Sequence, residues 1–279
     1  MSFLVRLDTF YRQKKIHPLD FDCLQAENCS AEAESYRRKR QGSKASFVGS
    51  KYEEHSAPRL LFVSLDPGNN DHYSEPSDRT PKAIRRFHEA DIDGPCTPQW
   101  RALHLFALRL FNEIRMLLDA RDALFAATGR VYRARKCENE LLPVLPYIAN
   151  VNSAKCSANG NGKMDKAPGG FFVKCRNHVQ EELAVLEPDT IVTQGNEAAA
   201  VLAEMNPQRT PEFAVRHPNE RIRIVTIKGR QVLWIQTTHP VNKSGLFWKE
   251  GCTCGSHEWC EYARAFADWS RASIPSLCL

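Results

Sequence analysis

Arg59-Leu60-Leu61-Phe62-Val63-Ser64-Leu65-Asp66-Pro67-Gly68-Asn69-Asn70 is the stretch that decides the fold. Leu60 to Val63 and Leu65 leave the run no polar face to give to water, so it reads as a strand buried on both sides. The turn formers from Asp66 onward stop it. Working outward, 144–151 reads as a second strand despite Pro146, and Thr190-Ile191-Val192-Thr193-Gln194 as a third buried one. Two more, 222–227 and 231–236, flank the turn Lys228-Gly229-Arg230. Apolar residues at helical spacing mark 100–118, 171–186, 195–205 and 256–272, and Thr80-Pro81 supplies an N-cap followed by a first-turn proline. Strands alternating with helices predict an α/β domain whose sheet is mainly parallel and covered on both faces. Residues 1–57 read as a polar, irregular N-terminal extension, and 58–279 as the domain.

Composition sets the outer bounds. At 279 residues, 42% hydrophobic and 25% charged, the chain has enough apolar material for a sizeable core, which excludes disordered and fibrous classes. No apolar run approaches the roughly 18 to 20 residues of a membrane-spanning helix. Arg6 and Asp8 interrupt the first ten residues, so these do not read as a signal peptide, and the expectation is a cytoplasmic monomer. Ten cysteines without a secretory leader argue against a disulfide framework and leave thiolate-bound metal, catalysis or burial. The net charge of +5 is compatible with a polyanionic partner. Its basic clusters, Arg37-Arg38-Lys39-Arg40 with Lys44 and then Arg130, Arg133, Arg135 and Lys136, read either as phosphate contacts or as solvated surface.

Ligands of open α/β sheets gather outside the carboxyl ends of the strands. Three such exits carry polar residues: Ser64-Leu65-Asp66-Pro67-Gly68, Val151-Asn152-Ser153-Ala154-Lys155-Cys156 and Thr238-His239-Pro240-Val241-Asn242. In these segments the chain resembles the uracil-DNA glycosylase superfamily, with Asp66 on the aspartate of its first motif and His239 in its last, His-Pro loop. The similarity to the iron-sulfur members, families 4 and 5, runs from about Cys23 to Asn242. It adds Asn152-x-x-Lys155-Cys156, Cys175 on the next helix, Leu186-Glu187-Pro188-Asp189-Thr190-Ile191-Val192 and Gly195-Asn196-Glu197-Ala198-Ala199 in the same order. The resemblance implies a three-layer α/β/α domain with a central, mainly parallel, four-stranded sheet. It also implies a monofunctional DNA glycosylase that flips a pyrimidine from the stack and hydrolyses its bond to deoxyribose.

The residue chemistry agrees with that implication. Cleaving an N-glycosidic bond develops positive charge on the sugar and negative charge on the departing base, so an anion is needed near one and a donor near the other. Asp66 suits the first role, with turn formation before Pro67 as the alternative, and His239 suits the second. His217-Pro218 repeats the dipeptide without a preceding buried strand. An asparagine amide reads a pyrimidine edge with one donor and one acceptor; Asn152 fits the motif spacing, and Asn150 is the alternative. In the first loop Leu65, Gly68, Asn69, His72 and Tyr73 are the base-contacting candidates. Gly68 stands where uracil-specific relatives carry a tyrosine, so a uracil substrate and a 5-modified pyrimidine, such as the glucosylated cytosine of phage DNA, both remain open. Lys243, Leu246 and Phe247 read as phosphate contact and duplex wedge, or as packing.

By the same resemblance Cys23, Cys29, Cys156 and Cys175 are the four ligands of a [4Fe-4S] cluster, with zinc or free thiols as alternatives. Cys252, Cys254, His257 and Cys260 form a second set of soft ligands that the family does not predict. A nucleic-acid-binding protein that keeps the fold and the cluster without catalysis is the competing reading.

Overall fold

In a computed structural model, residues 1–55, 57–65, 75–90, 142–159, 167–238 and 258–273 are described, together with Leu103, Phe106, Ala107, Leu110, Phe111, Glu113 and Ile114. The fold is α/β with a mixed six-stranded sheet of order β2-β4-β3-β6-β8-β7. Its strands are β2 (Phe47–Val48), β3 (Leu60–Ser64), β4 (Ile148–Asn152), β6 (Thr190–Gln194), β7 (Ile222–Ile227) and β8 (Arg230–Thr237). A separate two-stranded ribbon pairs β1 (Lys39–Arg40) with β5 (Ala158–Asn159). Every residue of β3, β4 and β6 is buried, which requires cover on both faces of the sheet centre.

The sheet corrects the expected strand number. The four inner strands are parallel as foreseen, but antiparallel β2 and β7 extend the sheet to six. Edge strand β2 has only two residues and therefore no alternation to reveal it. β7 is antiparallel because Lys228 and Gly229, at φ of 46° and 79°, close a two-residue hairpin whose twist suits that pairing. The second strand begins at Ile148 rather than 144, since Pro143 and Pro146 hold Leu142–Tyr147 in a 3-10 helix.

The helices are α1 (Phe3–Gln13), α2 (Ala26–Ser35), α3 (Ser50–Glu54), α4 (Pro81–Ala90), α5 (Gly169–Leu186), α6 (Asn196–Ala203), α7 (Pro211–Arg216) and α8 (Glu258–Ser273). The N-terminal region is not irregular. Ser2 caps α1, which buries Phe3, Leu7, Phe10 and Tyr11 in the main core along with Phe47 and Val48 of β2. On the sheet, Phe62 meets Phe106 edge-on at 5.9 Å, and Phe111 meets Phe266 of α8 at 6.0 Å. No helix among the described residues is long and apolar enough to cross a membrane.

Candidate functional site

Parallel register brings the strand ends to one level. Asn152 pairs with Ser64, and Gln194 with Thr237, while Val63 opposite Thr193 sets Ser64 beside Gln194. Asn152, Ser64, Gln194 and Thr237 thus form a row across the carboxyl edge of four parallel strands, and all four are buried. At roughly 4.8 Å per strand step, the row is on the order of 14 Å long. A buried row of polar side chains persists only where its members bond to each other or to a ligand.

Part of the row is internally satisfied. Ser64 Oγ donates to Asn150 Oδ1 at 2.7 Å and lies 3.0 Å from the Gln194 amide. A hydroxyl has one proton, so Ser64 serves one of the two amide oxygens, Asn150 Oδ1 or Gln194 Oε1, at a time, the Asn150 contact being the shorter. Thr237 Oγ1 donates to Thr193 O at 2.9 Å. Asn150 is therefore held by Ser64. Asn152 points its side chain to the same face from two residues further along β4; its amide makes no hydrogen bond among the described residues and is 6% exposed.

The ladder between β3 and β4 continues past both strands. Ser153 N donates to Ser64 O at 2.9 Å, Ala154 N to Leu65 O at 3.1 Å, and Ser153 Oγ to Leu65 O at 2.7 Å. This fastens Leu65, partly buried against a second small core around Phe171 and Phe172, to the exit of β4. Asp66, Gly68, Asn69, His72, Tyr73, His239, Lys243, Leu246 and Phe247 lie outside the described residues, as do Cys252, Cys254 and His257 and the side chain of Cys260. The described chain stops at Leu65 and Thr238, one residue short of Asp66 and His239.

His217 packs away from this edge. It is 4% exposed, lies against the Phe213 ring with centroids 4.8 Å apart, and has Asp268 of α8 at 3.5 Å. Burial pushes its pKa down.

Cys23, Cys29, Cys156 and Cys175 line a single pocket, although they come from the approach to α2, α2 itself, the segment after β4, and α5. Arg40, Lys155 and Lys174 line it too. Lys155 N donates to Cys175 Sγ at 3.4 Å, and Arg40 Nη1 lies 3.9 Å from Cys156 Sγ. Glu32 of α2 ties the helices together, bonding Lys174 Nζ and Gly170 N of α5 at 2.8 Å each. Burial pushes the Cys29 thiol up to about 11 and the Cys156 thiol up to about 12, and raises Cys175 as well. No three ligating side chains among the described residues converge tightly enough to share one metal ion.

Behind the pocket, Lys155 is 2% exposed and paired with fully buried Glu182 of α5. Glu182 also accepts from the Tyr11 hydroxyl and from Ser46 Oγ, the latter at 2.6 Å. Ser46 in turn receives Lys155 Nζ at 3.1 Å, and its N–H bonds the Tyr11 oxygen at 2.9 Å. Burial and the adjacent carboxylate push the Tyr11 pKa well up, so its hydroxyl stays a donor.

Sequence reading did not single out Ser64, Gln194 or this network, and it placed Arg40 in a basic run without linking it to the cysteines. For Ser64 and Gln194 the signal was present: each is a polar residue at the carboxyl end of an otherwise buried strand. The network carried none, because its members lie far apart in the chain. Neither the protein-family models nor the curated proteins give a match to the chain.

Proposed function

We propose that the chain is a monofunctional DNA glycosylase acting on a flipped pyrimidine. The observation that carries this reading is Asn152, a buried residue whose amide makes no hydrogen bond among the described residues, in a row of strand ends whose continuations reach Asp66 and His239. Such an amide has one donor and one acceptor to offer a pyrimidine edge. In this reading ionised Asp66 orients the attacking water and stabilises the sugar cation, and His239 donates to the base carbonyl as it gains charge. Asn150, already engaged by Ser64, braces the strand and leaves Asn152 as the base reader. Three-layer packing of the superfamily type is part of the same proposal.

The test is base release from duplex and single-stranded DNAs carrying uracil, thymine mismatches, 5-hydroxymethylcytosine and its glucosylated forms. Native protein is expected to release one of these bases. Asp66→Asn and His239→Ala should each slow release by about a hundredfold to ten-thousandfold. The base released separates a repair substrate from a hypermodified phage one, whereas intact DNA throughout would transfer the reading to a catalytically silent binder.

We further propose that the four thiols hold a [4Fe-4S] cluster that braces the N-terminal region on the domain. The donor set fits: four sulfurs around one pocket, flanked by three cations and an N–H donor, suit an anionic cluster. Buried thiols with raised pKa values are protonated at neutral pH in the absence of metal. Each ligand bond therefore releases a proton, and apparent metal affinity rises with pH. Protein purified without oxygen should contain iron and acid-labile sulfide in equal amounts, and Cys175→Ser should lose both; zinc alone in the native chain would reject the cluster.

A further inference from the structure

A second cationic feature lies beside the thiol pocket and shares Arg40 with it. A cavity of about 350 Å³ is lined by Lys39, Arg40, Gln41, Gly42, Ser43 and Arg79, between Pro18 and Pro76. Among the described residues its lining holds three cations and no carboxylate. Glu75 and Asp78 sit close enough to Arg79 to act on its charge but are not part of the wall.

Backbone bonds fix where this cavity stands. Lys39 and Arg40 pair with Asn159 and Ala158, Gln41 N donates to Ser157 O at 2.8 Å, and Lys44 N to Lys155 O at 3.0 Å. The stretch 39–44 is thus laid antiparallel along 155–159, the direct continuation of β4 beyond Asn152. Ser157 is the fifth residue beyond Asn152, a span of at most about 18 Å. The far wall is equally fixed: Ala45 N donates to Arg79 O at 3.0 Å, and Arg79 Nη1 donates to Gly42 O at 3.0 Å. The N–H groups of Gly42 and Ser43 make no hydrogen bond among the described residues.

We propose that this cavity binds a backbone phosphodiester of the nucleic-acid strand whose base is presented at Asn152. The proposal rests on the glycosylase reading for the strand's presence, but not on catalysis. A phosphodiester supplies what the lining lacks, one diffuse negative charge with oxygens that accept from Lys39, from the arginines and from the amides of Gly42 and Ser43. Arg40 is already stacked on the Phe21 ring at 4.9 Å and bonded to Ser30 Oγ at 3.0 Å, so it contributes fixed charge without being reorganised. Lys39 is exposed at the mouth and is the first cation a strand would meet.

Binding of fluorescent duplex DNA containing no excisable base is measured on the full chain over a range of salt concentrations. A lost phosphate contact lowers the slope of log affinity against log salt by about one. Lys39→Gln and Arg79→Gln should each do so, while the surface control Lys228→Gln, at the opposite, β7–β8 hairpin end, keeps the native slope. Arg79→Gln also removes the bond to Gly42, so exposed Lys39 is the cleaner variant. With the same DNA, the backbone amide resonances of Gly42 and Ser43 should shift in native protein and not in Lys39→Gln. An unchanged slope in both variants overturns the proposal. So does saturation of these amides by inorganic phosphate with no response to DNA, which would assign the cavity to a free phosphate. A reduced slope together with absent base release keeps this site and rejects the glycosylase reading instead.

Discussion

Asn152→Ala is expected to slow base release by about a hundredfold or more while shifting unfolding stability by no more than about 0.5 kcal/mol. The two halves of that expectation come from one observation. Asn152 is buried at the sheet edge yet its amide holds no hydrogen bond among the described residues, so its removal breaks no bond among them. In the proposed function, what it removes is the donor and acceptor offered to the base. Asn150→Ala is the matched control with the opposite signature. It deprives the buried Ser64 hydroxyl of its acceptor, a change that costs about 1–3 kcal/mol. Its effect on release should be no larger than that loss of stability explains. Urea unfolding and single-turnover release on both variants check the pair; a stability loss at Asn152 as large as that at Asn150 would falsify the assignment of roles.

Glu182→Ala carries the largest expected cost to stability, about 3–5 kcal/mol, because it strands Lys155 as a buried cation without its carboxylate. The Tyr11 hydroxyl and Ser46 Oγ lose their acceptor in the same stroke. The double variant Glu182→Leu with Lys155→Met removes both charges and should recover a large part of the loss, since apolar side chains fill such sites at least as well as a buried pair. Chemical unfolding of the three proteins checks this. A double variant no more stable than Glu182→Ala would mean that the hydroxyl partners, and not the stranded charge, dominate.

Much of the fold was legible because burial writes itself into composition. β3 is uniformly apolar until its last residue, β6 is built of β-branched residues until Gln194, and Thr80 with Pro81 marks the start of α4. The N-terminal region was misread for a physical reason. α1 buries Phe3, Leu7, Phe10 and Tyr11, a stripe at helical spacing, but Arg6 and Asp8 interrupt it and the charged residues that follow the helix hide it in a polar average. β2 holds its place through pairing with β4, a partner about a hundred residues away. The site was legible in part for a related reason. Motif spacing singled out Asn152 and the four cysteines, which local sequence can do. That Asn150 is occupied, while Asn152 has no partner among the described residues, depends on Ser64, from another strand, and no local pattern encodes it.

The pairing of β2 with β4 has a consequence for synthesis. Phe47 and Val48 leave the ribosome about a hundred residues before Ala149 and Asn150 exist to receive them. At some 5–20 residues per second, that is a wait of roughly 5–20 seconds. Cys23 and Cys29 wait longer still for Cys175. For that interval α1 and the first two thiols are without their partners, the time in which chaperones, oxidants and stray metals compete for the nascent chain.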